Sequence, residues 1–415
     1  MTKLRECCLN ITDGEHGSVT DDINGTCFLL SNKNIIDGKI VISDNDRRIS
    51  TDAWRNINKR TKLESGDVLI STVGTLGKTA IVEGEVNYDF QRSVGIIKCN
   101  KNKLLNKFLY YYLNLPHVQN KLVNTSKGAV QKCIFINDLK DFDIDIPDIE
   151  NQQLIIETLS ALDDRIELNN KINQELEKTA KDLYNYWFVQ FDFPDGNKRP
   201  YKSSGGKMVY NDVLKREIPE GWEVESIADN KLSKILKPGI KQFDGQKIYL
   251  PTAAVENDRI IDKSNLITYD NREGRANMEP VDNSVWFAKM KNTKKVLYFG
   301  DYSSQRISQT ILSTGMLGLK CVENALEYIW NFVNDDSFEA VKNKLSHGAT
   351  QEGVNNDDLL YFPMLIPSIE TLRNYSVLVK DLYKQKYFNE IENECLAELR
   401  DFLLPMLMNG QVSVS

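Results

Sequence analysis

Residues 150–188, ENQQLIIETLSALDDRIELNNKINQELEKTAKDLYNYWF, contain neither Pro nor Gly. Within them, positions at alternating four- and three-residue spacing are Ile155, Leu159, Leu162, Ile166, Asn169, Asn173, Leu176, Ala180, Leu183 and Trp187. All are apolar except the two asparagines. This heptad seam predicts one long helix whose apolar stripe needs a partner helix. Adding 220 to every position reaches a second such segment, 370–408, with Tyr375, Val379, Leu382, Lys386, Asn389, Asn393, Leu396, Arg400, Leu403 and Leu407. Both asparagines recur in place. Polar residues in a seam cost stability but fix register, so each helix is expected to be the other's partner. Leu162, Ile166, Asn169 and Asn173 would then face Leu382, Asn389, Asn393 and Leu396. Two unrelated surface helices would not share polar breaks at one offset.

The same offset runs beyond the helices. SKGAVQ (126–131) meets SHGATQ (346–351), and FLYYYLN (108–114) meets YIWNFVN (328–334). Asp138, Leu139, Phe142, Ile146 and Pro147 meet Asp358, Leu359, Phe362, Ile366 and Pro367. With small gaps, VGIIKC (94–99) resembles LGLKC (317–321) and VLIS (68–71) resembles VWFA (285–288). The chain therefore reads as a tandem repeat: globule, helix, globule, helix. The expected boundaries are 1–148 for the first globule, 149–190 for its helix and 191–216 for a linker. The second globule follows at 217–367, its helix at 368–410 and a tail at 411–415. The linker rests on FPDGNKRPYKSSGGK, which clusters Pro, Gly, Ser and Lys. In the first globule, strands are expected at 68–71, 79–82 and 91–99. Two short strands should flank the Asp37-Gly38 turn, and a helix over 104–122 should end or kink near Pro116.

A chain of 415 residues with 41% apolar content has two or three packed domains, not disorder. No run approaches the roughly 18 apolar residues of a membrane span. The start, MTKLRECCLN, has no signal-peptide core. The seven cysteines are an odd number without CxxC spacing, so neither a disulfide framework nor a zinc site is expected. A reduced cytoplasm is the expected compartment, with Cys7 and Cys8 as small buried residues.

The net charge of -7 at first disfavours a nucleic-acid partner. Its placement reverses that reading. Residues 150–182 hold eight acids and four bases, and 370–401 hold seven acids and five bases. The two helices thus carry six of the seven net negative charges. Against the near-neutral remainder, 47–62 holds six bases and one acid, and 289–306 holds five bases and one acid.

TVGTLGKT (72–79) approaches the phosphate-binding GxxxxGK[ST] pattern, but Thr72 stands at the first glycine and a β-branched run follows where a helix should begin. A hairpin loop is the better reading, and Thr75 and Lys78 in it can still reach phosphates or base edges. No GxGxxG after a strand, GxSxG, HExxH or Asn-Pro-Pro-aromatic motif occurs. His16, His117 and His347 are scattered, and Asp141, Asp143 and Asp145 alternate along a solvated strand face. What remains are basic and amide-rich loops. The first half has Arg47, Arg48, Arg55, Lys59, Arg60, Thr75, Lys78, Gln91, Arg92, Lys127 and Gln131. The second half has Lys289, Lys291, Lys294, Lys295, Arg306, Gln309 and Gln351. Arg reads guanine bidentately, Gln reads adenine and Lys anchors phosphates, so these are the candidate DNA contacts.

IPEGWEV (218–224), GDVLISTVGTLGKTAIV (66–82), the Gly-Ala-x-Gln segments, the two helices and LRDFLLPMLMNGQV (399–412) resemble the specificity subunits of type I restriction–modification enzymes. The second half departs from the family's glycine loop with KMKNTKK (289–295). The resemblance covers nearly the whole chain. It implies an α+β fold of two tandem target recognition domains, separated by two long antiparallel helices forming a coiled coil with pseudo-two-fold symmetry. It implies double-stranded DNA, two methyltransferase subunits and restriction subunits as partners. S-adenosylmethionine and ATP with magnesium would sit on those partners, and neither cofactor nor metal on this chain. The alternatives are a P-loop-like nucleotide hydrolase with a coiled-coil arm and a purely structural coiled-coil tether.

Overall fold

The computed structural model describes residues 2–126, 132–348 and 352–412. The α-helices are α1 (Thr51–Thr61), α2 (Asn106–Leu113), α3 (Pro116–Thr125), α4 (Ile136–Lys140), α5 (Ile149–Tyr184), α6 (Ser304–Gln309), α7 (Leu326–Val333), α8 (Asp336–Leu345) and α9 (Ile369–Met408). The chain is α+β and divides into two compact units, Met1–Glu167 with Asn393–Ser415, and Leu168–Glu392. The two long helices, α5 and α9, each give one part to each unit.

In the first unit, a four-stranded antiparallel sheet has the order Cys8–Asp13, Val94–Cys99, Val68–Ser71 and Thr79–Ile81. A smaller sheet pairs Cys27–Leu30 with Arg48–Ile49 on one side and, in parallel, with Tyr88–Phe90 on the other. Asp37 and Gly38, both at positive φ, close the small hairpin of Ile35–Ile36 and Lys39–Ile40. Leu115 precedes Pro116, which disfavours helix at the residue before it. The expected single helix is therefore α2 followed by α3. Ile155, Ile156 and Leu159 of α5 join Leu404 and Leu407 of α9 in one core with Phe108, Leu109 and Leu139. Arg400 ion-pairs with Asp163 at 2.8 Å, and the Tyr111 hydroxyl donates to the same carboxylate at 2.6 Å.

The second unit repeats this plan. Its four-stranded sheet runs Ser233–Ile235, Met316–Cys321, Ser284–Ala288, Val296–Phe299. In it Trp286 faces Gly318, where an added Cβ would lie 2.6 Å from the indole ring, so a glycine is required there. The bounds of α7, α8 and α9 begin 220 residues after those of α2, α3 and α5. The core gathers Ala180, Tyr184, Trp187 and Phe188 with Tyr328, Tyr375, Val379 and Tyr383. Two differences stand out. The helix α1 is a feature of the first unit that sequence periodicity did not announce. In the second unit the smaller sheet has an added strand, Ala276–Met278, beside Thr310–Ser313.

The segment expected as a linker is built into the second unit. Phe193 stacks on Tyr201 at 4.7 Å and on Trp222 at 4.9 Å between centroids, and Met208–Asn211 forms a hairpin with Arg216–Pro219. The Pro/Gly/Ser composition hid these aromatic anchors, which hold it against the second unit. Before the strand Asp143–Ile144, Ile136–Lys140 form the short helix α4.

Of the seam asparagines, Asn169, Asn173 and Asn389 are placed within the second unit. Asn389 donates to the Asn173 side-chain oxygen at 2.8 Å, with both residues buried, and Asn169 donates to Glu392 at 2.8 Å. Lys386, at an otherwise apolar seam position, meets Glu177 and Asp258. Leu162, Ile166, Leu382, Asn393 and Leu396 are partly buried.

Candidate nucleic-acid interface

In the first unit the loop 72–78 joins two strands of the larger sheet. Gly74 and Gly77 have φ near +80°, a conformation that costs side chains with a Cβ. The tight path lets Ser71 close the loop on itself: its hydroxyl donates to the Thr75 carbonyl at 2.6 Å and accepts from the Lys78 amide at 2.8 Å. Gln119 of α3 donates to the carbonyls of Gly77 (2.9 Å) and Leu113 (2.6 Å), and Asn32 donates to the Val73 carbonyl at 2.8 Å. The loop is followed by Thr79 in a strand, not a helix, so it is no P-loop.

Behind the loop, Thr72 accepts from the Ile134 amide at 2.9 Å, and Val73 bridges Cys133. The Thr72 amide and hydroxyl donate to the Ser93 and Arg92 carbonyls. The Arg92 amide donates to the Glu15 carbonyl, and Arg60 of α1 holds the carbonyls of Asp13 and Gly14. A continuous set of contacts thus joins Arg60, Gln91, Arg92 and the loop carrying Thr75 and Lys78.

The second unit builds the same hairpin without glycine. Its loop, 289–295, turns at Asn292 (φ 53°), and the Asn292 amide donates to Asn343 of α8 at 2.7 Å. Lys342, 1% exposed, donates to the carbonyls of Ala288 (3.1 Å) and Thr293 (2.8 Å) and pairs with Glu339 at 2.8 Å. Burial lowers the Lys342 pKa, with Glu339 opposing. Here too the loop is backed by the segment before α9: the Lys291 amide donates to the Glu352 carbonyl, and Met290 bridges Gly353.

Residues 24–178 match the family model described as the type I restriction modification DNA specificity domain. The MjaIX specificity subunit of Methanocaldococcus jannaschii is 25% identical over 90% of this chain and 84% of its own length. The HindI specificity subunit of Haemophilus influenzae is 24% identical over 84% of this chain and 87% of its own. Over most of its length the chain is thus similar to type I specificity subunits. The S subunit from M. genitalium shares its fold, with a TM-score of 0.54 at 14% identity over 98% of this chain and 95% of that one.

The candidate contacts separate into groups. Lys78, Arg92 and Lys289 have no ion pair among the described residues. Thr75, Lys78 and Arg92 are exposed, and Lys289 is half-buried, with its pKa lowered by burial. Arg55 and Lys59 are exposed on α1, beside Asp52 and Asn56. Other cations are engaged internally. Arg47 binds Asp21 and the Val19 carbonyl, while Arg48 lies 5.0 Å from the Phe28 ring centroid. Lys291 pairs with Glu352 at 2.8 Å, Lys294 with Asp336 at 2.7 Å, and Lys295 donates to the Thr252 carbonyl at 2.7 Å. Arg306 pairs with Glu390 at 3.1 Å and lies over Tyr387, so α6 rests on α9. Gln309, at the end of α6, is exposed. Lys127, Gln131 and Gln351 lie outside the described residues. Asn32, Gln119 and Lys342, the residues that shape the loops, were missed. The 220 offset pairs Asn32 with Thr252 and Gln119 with Glu339, and that pairing was the available signal. Among the described residues no helix is long and apolar enough to cross a membrane, and no group of His, Cys, Asp and Glu could hold a metal ion.

Proposed function

We propose that this chain is the non-catalytic DNA-specificity subunit of a type I restriction–modification complex, each unit reading one half of a bipartite duplex site. The observation that carries this is the hairpin loop built twice on one scaffold and backed each time by the segment leading to a long helix. Such loops present backbone amides, hydroxyls and cations to base edges and phosphates. In this reading α5 and α9 pair as an antiparallel coiled coil that separates the two recognition domains with pseudo-two-fold symmetry. The exposed Leu168 and Ile172 of α5 and Phe388, Leu399 and Phe402 of α9 offer apolar surface to two methyltransferase subunits. Restriction subunits complete the cleaving complex in the cytoplasm. S-adenosylmethionine and ATP with magnesium belong to the partners, and the isolated chain neither methylates, cleaves nor hydrolyses ATP.

The test is to express the chain with its methyltransferase subunits in a methylation-free host and map the modified bases. One bipartite motif is expected. Replacing residues 1–147 with those of a relative should change one half-site only, and a change in both halves would count against modular reading. The helices act as the ruler. Four residues added to both lengthen them by about 6 Å, so the gap should grow by one or two base pairs of roughly 3.4 Å each. An active enzyme with unchanged spacing would rule the ruler out.

A further inference from the structure

Among the described residues, the added strand of the second unit, Ala276–Met278, has no equivalent beside Tyr88–Phe90 in the first. It is tied in on both sides. Ala276 pairs with Ser313, while the Gly239 amide donates to the Asn277 carbonyl at 2.8 Å. Its leading loop, TYDNREGR (268–275), therefore has a fixed base. The Arg275 carbonyl accepts from the Thr314 amide at 2.9 Å, and the next residue, Gly315, accepts from the Lys289 amide at 2.9 Å. Two backbone hydrogen bonds thus set Arg275 alongside the start of the 289–295 loop.

The chemistry of this loop suits base reading. Arg275 is exposed, and neither it nor Arg272 has an ion pair among the described residues. The Arg272 guanidinium lies 4.3 Å from the Tyr269 ring centroid and donates to the Tyr269 carbonyl, which orients the fork in advance. Tyr269 is itself set edge-on to Phe243, 5.9 Å away. Asp270 and Glu273 balance the two arginines, so residues 268–275 carry no net charge. A phosphate anchor needs net positive charge, whereas direct readout needs placed forks and carboxylates, Arg for guanine and Asp or Glu for cytosine. By contrast, Lys291 and Lys294 are already neutralised by carboxylates inside the unit.

Resting on the function proposed above, we infer that Arg272 and Arg275 are specificity-determining residues of the second half-site, delivered by the strand added in the second unit. The test uses the full chain in its methyltransferase complex, with wild type, Arg275→Lys, Arg275→Ala and Arg272→Lys mapped on genomic DNA from a methylation-free host. Wild type should give one bipartite motif. Arg275→Lys keeps the charge but loses the bidentate fork, so discrimination at one base of the second half-site should fall roughly tenfold or more. Arg275→Ala should relax the same base, and Arg272→Lys another. The first half-site should stay unchanged in every variant, which also shows that the variant chains fold and assemble. Salt dependence of binding should move little for Arg275→Lys. An unaltered second half-site in all three variants would overturn the inference while leaving the bipartite reading intact. So would Arg275→Ala weakening binding equally on all sequences with a reduced salt slope, since that marks a phosphate anchor. A wild-type complex with no bipartite motif would overturn both.

Discussion

Where the first unit buries Asp89 on the strand parallel to Cys27–Leu30, the second buries Ile311 on the corresponding strand. Where the first buries Leu122 on α3, the second buries Lys342 at the matching position on α8. The scaffold is shared, but its buried charge sits in different places. In the first unit the glycines of 72–78 let the loop satisfy its carbonyls through Ser71, Asn32 and Gln119, leaving an apolar residue beneath. In the second, the loop has no glycine, and a buried ammonium collects two carbonyls. A repeat can therefore conserve a loop's position while exchanging the interaction that fixes it.

The strongest test of this contrast is Lys342→Leu, which places in the second unit the residue of the first. It leaves Glu339 and two carbonyls without their donor, and breaking a buried pair costs about 3–5 kcal/mol. Denaturation should show the second unit losing most of its stability, and site mapping should show the second half-site lost with the first retained. A loss under about 1 kcal/mol would mean that the loop does not depend on this lysine.

Asp89 accepts from the Thr61 hydroxyl at 2.6 Å and the Phe90 amide at 2.8 Å, yet burial pushes its pKa up from 3.8 to about 6. The folded carboxyl then holds its proton more tightly than the unfolded one. Ionisation penalises the fold, and stability from this group declines as pH rises from about 4 to about 6, by about 3 kcal/mol in all. Asp89→Asn lacks this ionisation. Its stability relative to wild type should increase across that window and level off above it, measured by urea denaturation at pH 4, 5, 6 and 7.5. A constant difference across pH would remove Asp89 as a titrating group.

Gly77→Ala tests the first loop. A Cβ there would lie 2.3 Å from the Gln119 amide oxygen, at φ +81°. Left-handed strain and loss of the Gln119 bond should together cost about 2 kcal/mol in a melting experiment. Asn292→Gly in the second loop should change stability by less than about 1 kcal/mol, because Asn tolerates this conformation. Equal effects would erase the distinction between the loops.

The smallest effect concerns salt. Lys78→Ala and Arg92→Ala should each lower the slope of log affinity against log salt by about 0.9 if each contacts a phosphate. Replacing Lys291, Lys294 and Lys295 together by Ala should lower it by less than about one in total, since all three have acceptors within the unit. A fall of about three would return these lysines to the interface.

Periodicity and the 220-residue offset determined much about this protein without coordinates. The two long helices, the matched starts of α2 and α7, and the hairpin around 72–78 all depend on local pattern: heptad spacing, proline and glycine placement, and alternating apolar residues. That Thr75, Lys78 and Arg92 lie in loops and are exposed agrees with the same local pattern. Only the tertiary structure could distinguish exposed cations from engaged ones. Lys294 and Arg306 look alike in sequence to Lys78 and Arg92, but their acids lie 42 and 84 residues away. It alone seated the Pro- and Gly-rich segment through Phe193 and Trp222, put Lys342 beneath a loop some fifty residues earlier, and laid Arg275 beside Thr314. Each of these depends on contacts between residues far apart in the chain. Which distant groups meet is decided by packing and by the need to satisfy buried polar atoms, and neither leaves a local sequence period.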